Sequence, residues 1–221
     1  GPGQNEIDFR YSSALSAADN VVTFKQVVST VAARNGLWAS FAPKPIAGEA
    51  GNGFHINCSI SHADIRQAAD ESLFQQFMAG VLAHTPEMTA VLNPLESSYQ
   101  RLGHDKAPNR VSWSPSNRSQ LIRIPASDAS NQRMELRSPD ASCNPYLAFA
   151  LIMRAGLDGI LNGMTPPPSC NLNLLDAPAE TVQQYAPLPA DLTAARRLMT
   201  ESAFMRQTLP AHLFDAYAGT V

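Results

Sequence analysis

Residues 48–60 read GEAGNGFHINCSI. Glycines at 48, 51 and 53 lead into a run in which Phe54, Ile56, Cys58 and Ile60 are apolar, while His55, Asn57 and Ser59 between them are polar. A period of two marks a half-buried strand. The second face of such a strand ordinarily carries Thr, Lys or Glu in contact with water. An imidazole, an amide and a hydroxyl behind a glycine-rich loop suit a ligand instead, because glycine lets a ligand approach the backbone closely. A lone histidine on a strand is more often a satisfied structural residue, so His55 needs partners.

Residues 132–139, QRMELRSP, offer them. As a strand, this segment puts Arg133, Glu135 and Arg137 on one face and sends Met134 and Leu136 into the core. A charged strand face is usually just solvated. Here the neighbouring candidate strand SQLIRIP adds Arg123, and the turn before it adds Arg118. Four arginines converging on one glutamate repel one another unless anions lie between them. Arginine suits bidentate capture of carboxylate and phosphate. The face therefore reads as an anion-handling sheet, with Glu135 either pairing with the arginines or holding a metal. Glu6, in the alternating segment EIDF, offers a further hard oxygen; Glu and His together suit Mg or Mn when phosphates and waters complete the shell. GxxxxGK[ST] is absent, and the glycine loop does not open a helix, so neither a P-loop nor a dinucleotide fingerprint is present.

Outward from these segments, helices are expected over about 17–34, where Val21, Phe24, Val28 and Val31 recur at helical spacing, over 65–82, and in a short piece after Pro86. Strands are expected at EIDF, at LWASFAP ending on Pro43, and at NRVSW before the two segments above. Residues 93–110 read as a polar loop. Asn144-Pro145 is a cap followed by proline at the first helical position, opening YLAFALIMRAGLDGI. A proline-rich surface stretch covers 163–190, and Asp191 caps a last helical region broken near Pro210. Strands and long helices without regular βαβ alternation give an α+β fold.

The chain has 221 residues, 44% hydrophobic and 16% charged, enough to bury a real core. A net charge of −3 with no basic run excludes an obvious nucleic-acid footprint. No apolar stretch is long enough to span a membrane, and no signal peptide is visible. Cys58, Cys143 and Cys170 have no CxxC spacing and fit a reducing, cytoplasmic setting.

Four blocks, GQNEIDF with AADNVVTFKQVV, PKP with GNGFHINCSI, NRSQLIRIP, and RMELRSPD with NPYLAFALIMRAGLDGI, resemble the catalytic domain of the glutamine synthetase family, in order across residues 3–175. The resemblance implies one partial catalytic domain over 1–221, built on a curved, mainly antiparallel sheet that carries the active site and is backed by helices. It implies an ATP-dependent ligase that joins glutamate and ammonia through γ-glutamyl phosphate with Mg or Mn. By the same resemblance Glu6, His55 and Glu135 match metal ligands, and Gly51, Arg101 and Arg137 match contacts to glutamate. Arg118, Arg123 and Arg133 match groups facing the nucleotide phosphates and the transferred phosphoryl group, and Asn57 and Ser59 match nucleotide contacts. The intact protein is expected to form a homo-oligomer of stacked rings.

Departures from the family pattern carry their own expectations. The family has roughly as much chain again before this sequence, including further metal-binding glutamates, so this chain alone is expected to be inactive. The family places a glutamate just before Ala-Pro in its mobile flap. Here RLGHDKAP puts Lys106 there, with Asp105 beside it as a possible substitute. A cation at that place disfavours ammonium and leaves a polyamine or alkylamine as the rival acceptor. A non-catalytic structural member is the other rival. Leu175 stands where some bacterial members carry a modifiable tyrosine.

Overall fold

The computed structural model describes residues 1–61, 70–126 and 132–219. In chain order they form α1 (Ala14–Arg34), β1 (Ile56–Cys58), α2 (Glu71–Leu92), α3 (Glu96–Tyr99), β2 (Trp113–Ser114), β3 (Ile122–Arg123), β4 (Met134–Leu136), α4 (Pro145–Leu161), α5 (Ala179–Val182), α6 (Leu192–Glu201), α7 (Ala203–Thr208) and α8 (Ala211–Ala218).

The short strands make one sheet in the order β1-β4-β3-β2. β1 and β3 each run antiparallel to β4, and β2 runs parallel to β3. The register sets Asn57 opposite Glu135 and Arg123 on the other side of Glu135. One face thus carries polar and charged side chains in a row. The opposite face supplies Ile56, Ile122, Met134 and Leu136 to a core shared with Phe77, Met78, Val81 and Leu82 of α2 and Leu151 and Ile152 of α4. Removing each such side chain from water contributes about 1.5–3 kcal/mol. The α+β architecture expected from the sequence is the one observed.

The helix ends follow their capping residues. Asp70 accepts from Leu73 N–H, Asn144 from Tyr146 and Leu147 N–H ahead of Pro145, and Asp191 from Ala194 N–H. The break before Pro210 also occurs, with α7 ending at Thr208 and α8 beginning at Ala211.

Three expectations fail. The segments EIDF and LWASFAP alternate but join no ladder among the described residues; Ile7, Phe9, Leu37 and Trp38 are exposed. Alternation records which side chains prefer burial and says nothing of a backbone partner. Pro86 does not start a new helix. It lies inside α2, where an interior proline costs about 3 kcal/mol. Burial of α2 along most of its length offsets that, and Thr85 and Thr89 hydroxyls return hydrogen bonds to Val81 and Thr85 carbonyls. Residues 93–110 are not simply a polar loop, because α3 lies there and Arg101, Leu102 and Ala107 are buried. Of the helix expected over 65–82, residues 65–69 lie outside the described residues.

α2 and α4 meet backbone to backbone. A methyl group at Gly80 would collide with the Ala155 carbonyl and lie 2.7 Å from Gly159 N. Beside this crossing, His84 of α2 bonds to Glu87 and to Asp158 of α4 and stacks on Phe204 of α7, with ring centroids 3.9 Å apart. Burial alone would lower the His84 pKa, but the two carboxylates outweigh it and raise it. The backbone contact at Gly80 has no rotamer with which to relax. Gly80→Ala should therefore lower stability by about 2 kcal/mol despite its better helix propensity, read as a fall in the urea midpoint.

Candidate functional site

The polar face of the sheet gathers around one carboxylate. Glu135, centred in β4, is 7% exposed. Its Oε1 lies 2.8 Å from Arg137 Nη1 and 3.3 Å from His55 Nδ1, and its Oε2 lies 3.1 Å from Arg123 Nη1. Burial would raise the pKa of this carboxyl. The bond from His55 and the guanidiniums of Arg137 and Arg123 reverse that and hold it at about 2. Glu135 is thus the anion that lets the arginines share a face.

Arg133 turns its Nε to the Asn57 side-chain oxygen at 3.3 Å, so the row continues to β1. Arg137 also donates to the Arg118 carbonyl at 2.9 Å and to the Lys106 carbonyl at 3.4 Å. Burial lowers its pKa, and Glu135 opposes the shift. Arg118 therefore touches the centre through its backbone, while its side chain is exposed. Ser59 is exposed at the end of the same alternating run.

Arg101 is 4% exposed and donates to the carbonyls of Ser138 at 2.7 Å and Arg137 at 3.0 Å. Burial pushes it down to about 10, so it stays charged at neutral pH. No carboxylate lies within ion-pair distance of it among the described residues. A buried cation bonded only to carbonyls retains free donors for an anion. Gly51 explains the glycine loop, since a methyl there would sit 2.5 Å from the Pro43 carbonyl oxygen, while one at Gly53 would press on Arg101 Nη2 at 2.7 Å and His55 Nε2 at 2.8 Å. The Gly51 carbonyl accepts from Gln4 Nε2 at 3.0 Å, and Asn52 Oδ1 accepts from the same group at 2.7 Å. Gln4 was not legible as a site-neighbouring residue, because nothing local marks a side chain that bonds far along the chain.

The residues expected from the sequence do not all meet. His55, Asn57, Arg123, Arg133, Glu135 and Arg137 form one connected face, with Arg101, Gly51 and Gly53 at its edge. Glu6 is exposed and makes no ion pair among the described residues, and no group of three His, Cys, Asp or Glu side chains converges there to hold a metal. His55 and Glu135 pair an imidazole nitrogen with a carboxylate oxygen, donor types that suit Mg or Mn. They fit a divalent cation as two of its ligands, with phosphate, water or other chain segments supplying the rest. Asp105 lies away from the arginine row, 56% exposed and 3.8 Å from Lys44.

The family model described as glutamine synthetase, catalytic domain, matches residues 1–220. The chain belongs to the glutamine synthetase family. Similar curated relatives include the glutamine synthetase of Methanosarcina mazei, 44% identical over 98% of this chain and 51% of the relative, and that of Thermus thermophilus, 42% identical over 98% and 51%. A solved structure named "GmaS/ADP complex-Conformation 1" matches with a TM-score of 0.85 and 33% identity, covering 96% of this chain and 51% of that one. "Apo GmaS without ligand" matches at 0.81 and 33% identity, covering 96% and 50%. The chain spans about half the length of the curated relatives it matches. Among the described residues no helix is long and apolar enough to cross a membrane.

Removing the central carboxylate should cost more than removing any one exposed arginine. Glu135→Ala leaves Arg137 buried without its partner and should cost about 3 kcal/mol, whereas Arg118→Ala should change stability by under about 0.5 kcal/mol. Paired urea unfolding curves measure both.

Proposed function

We propose that this chain is the phosphate- and carboxylate-handling part of an ATP-dependent ligase that forms the γ-amide of glutamate from ammonia through γ-glutamyl phosphate. The observation that carries the reading is the arginine row organised by Glu135 beside the buried Arg101, which has no carboxylate within ion-pair distance among the described residues. Membership of the glutamine synthetase family and the likeness to a structure named as an ADP complex support it. Phosphoryl transfer asks a protein mainly to position its reactants and neutralise charge on the transferred group.

In this reading Arg118, Arg123 and Arg133 face the nucleotide phosphates and the transferring phosphoryl group. Asn57 and Ser59 contact the nucleotide. Arg101 and Arg137, next to the Gly51–Gly53 backbone, hold the carboxylates of glutamate. His55 and Glu135 would hold a Mg or Mn ion, with Glu6 joining a further site completed by other segments of the intact protein. Such an ion, when bound, screens phosphate charge. With two candidate metal donors meeting among the described residues, the chain alone is inactive, and the intact protein acts as a cytoplasmic homo-oligomer.

A second reading is the same ligase with a polyamine or alkylamine as acceptor, and it starts from Lys106. This exposed lysine occupies the position where the family's flap glutamate is expected. It removes the carboxylate expected to hold ammonium, and it repels any protonated amine alike, so the acceptor is decided by experiment. The decisive experiment supplies the intact protein with ATP, glutamate and Mg or Mn, then measures phosphate release with ammonium, methylamine and a polyamine in turn. Release greatest with ammonium supports glutamine synthesis. Release greatest with an organic amine moves the assignment to the second reading, and none with any amine rejects the ligase.

A further inference from the structure

Asp140 is fully buried, shortly after Arg137 in the chain and outside the carboxylate centre of the sheet face. No cation lies within ion-pair distance of it among the described residues. A buried carboxylate persists where hydrogen bonds replace its water. Asp140 divides its two oxygens between different structures. Oδ1 accepts from the Ser142 N–H at 2.9 Å and from the Ser142 hydroxyl, which shapes the turn before α4. Oδ2 accepts from Asn93 Nδ2 at 2.9 Å, across 47 residues of chain.

Asn93 is fully buried at the C-terminal end of α2. Its amide nitrogen also donates to the Ser138 carbonyl at 2.9 Å, the same oxygen that accepts from Arg101 Nη1 at 2.7 Å. Asn93 Oδ1 has no hydrogen-bond partner among the described residues. Turned over, the Asn93 amide would point that oxygen at two acceptors, the Asp140 carboxylate and the Ser138 carbonyl. Asp140 thus fixes which way Asn93 faces, and Asn93 helps to fix the carbonyl that holds Arg101. The same stretch is braced by its backbone, with Phe54 N–H donating to the Pro139 carbonyl at 2.8 Å and Asp140 N–H to the Leu92 carbonyl at 3.3 Å.

Asp140→Asn would still serve the turn, because one side-chain oxygen suffices there. Its new NH2 would then meet the Asn93 amide donor against donor. The second carboxylate oxygen is therefore required by Asn93 and not by the turn. Burial lowers the Arg101 pKa and the negative charge of Asp140 opposes that, so the two groups also interact as charges.

We infer that Asp140 is a positioning residue, acting through Asn93 and the Ser138 carbonyl to aim the free donors of Arg101 at a carboxylate in the pocket. That this carboxylate belongs to glutamate rests on the ligase reading.

Isothermal titration of glutamate, and of ATP with Mg or Mn, into the intact protein tests it. By charge alone, Asp140→Asn would strengthen the hold of Arg101 on an anion, whereas lost aim weakens it, so the sign separates the two. Asp140→Asn should weaken glutamate binding about tenfold and leave ATP binding within about twofold. Asn93→Ala should do the same, and the double variant should go no further. Ser142→Ala, which removes a bond of the turn, should change neither affinity. Unchanged or tighter glutamate binding in Asp140→Asn or Asn93→Ala, an equal loss for ATP, or an equal loss in Ser142→Ala overturns the inference. A wild type that binds no glutamate defeats the glutamate assignment instead, and crystal structures then decide the aim. In Asp140→Asn, or in Asn93→Ala where that variant alone folds, Arg101 Nη1 should leave the Ser138 carbonyl while the Arg137–Glu135 pair stays. An unmoved Arg101 overturns the inference.

Discussion

The structure turns on a nearly buried carboxylate that must neutralise its neighbours. Without Glu135, the guanidiniums of Arg123 and Arg137 and the imidazole of His55 would share a sheet face with no anion between them. With it, each has a partner within 3.3 Å, and the carboxyl is held at about 2, well below its ordinary value. The pairing is not a large source of stability, because desolvation cancels much of the attraction between buried ions. Its effect is positional. It fixes two guanidiniums and an imidazole in a preorganised cluster, the arrangement that the proposed handling of a phosphoryl group calls for.

That cluster can be held still because the reverse of the same sheet is welded to α2 and α4. Met134 and Leu136 alternate with Glu135 along β4 and are fully buried. A slip of one residue in β4 would send the charges into the core and the apolar residues to the pocket, so core packing and site geometry enforce the same register. The close approach of α2 to α4 at Gly80 and Gly159 supports that arrangement from below. The loops at the pocket rim are tied by individual side-chain bonds instead, such as Gln4 to the Gly51 carbonyl and Asn52 to the Ala42 carbonyl.

Much of the centre was legible in the sequence. The alternation in 54–60 and 133–137 is a local record of which side faces the core, and both segments join the sheet as read. Asn144-Pro145 and Asp191 likewise carry their capping function in their own chemistry. Failures came where a local pattern had to be completed from a distance. EIDF and LWASFAP alternate just as convincingly, yet a strand needs a neighbour's N–H and C=O groups, and the described residues offer none. Pro86 sits in a helix because tertiary burial of α2 outweighs its intrinsic cost. Arg101 fell in a segment read as a polar loop, and no local signal shows that the Ser138 and Arg137 carbonyls fold over it.

The most direct test of the central claim is an NMR titration of the Glu135 carboxyl carbon, followed from neutral pH into acid. A depressed folded-state value means that its contribution to stability is present above the ordinary carboxylate range near 4.5 and is lost as pH falls towards 2. The midpoint should lie near 2 and move up towards the ordinary value in Arg137→Gln. A midpoint near 4.5 in the wild type, or one indifferent to Arg137, would contradict that claim.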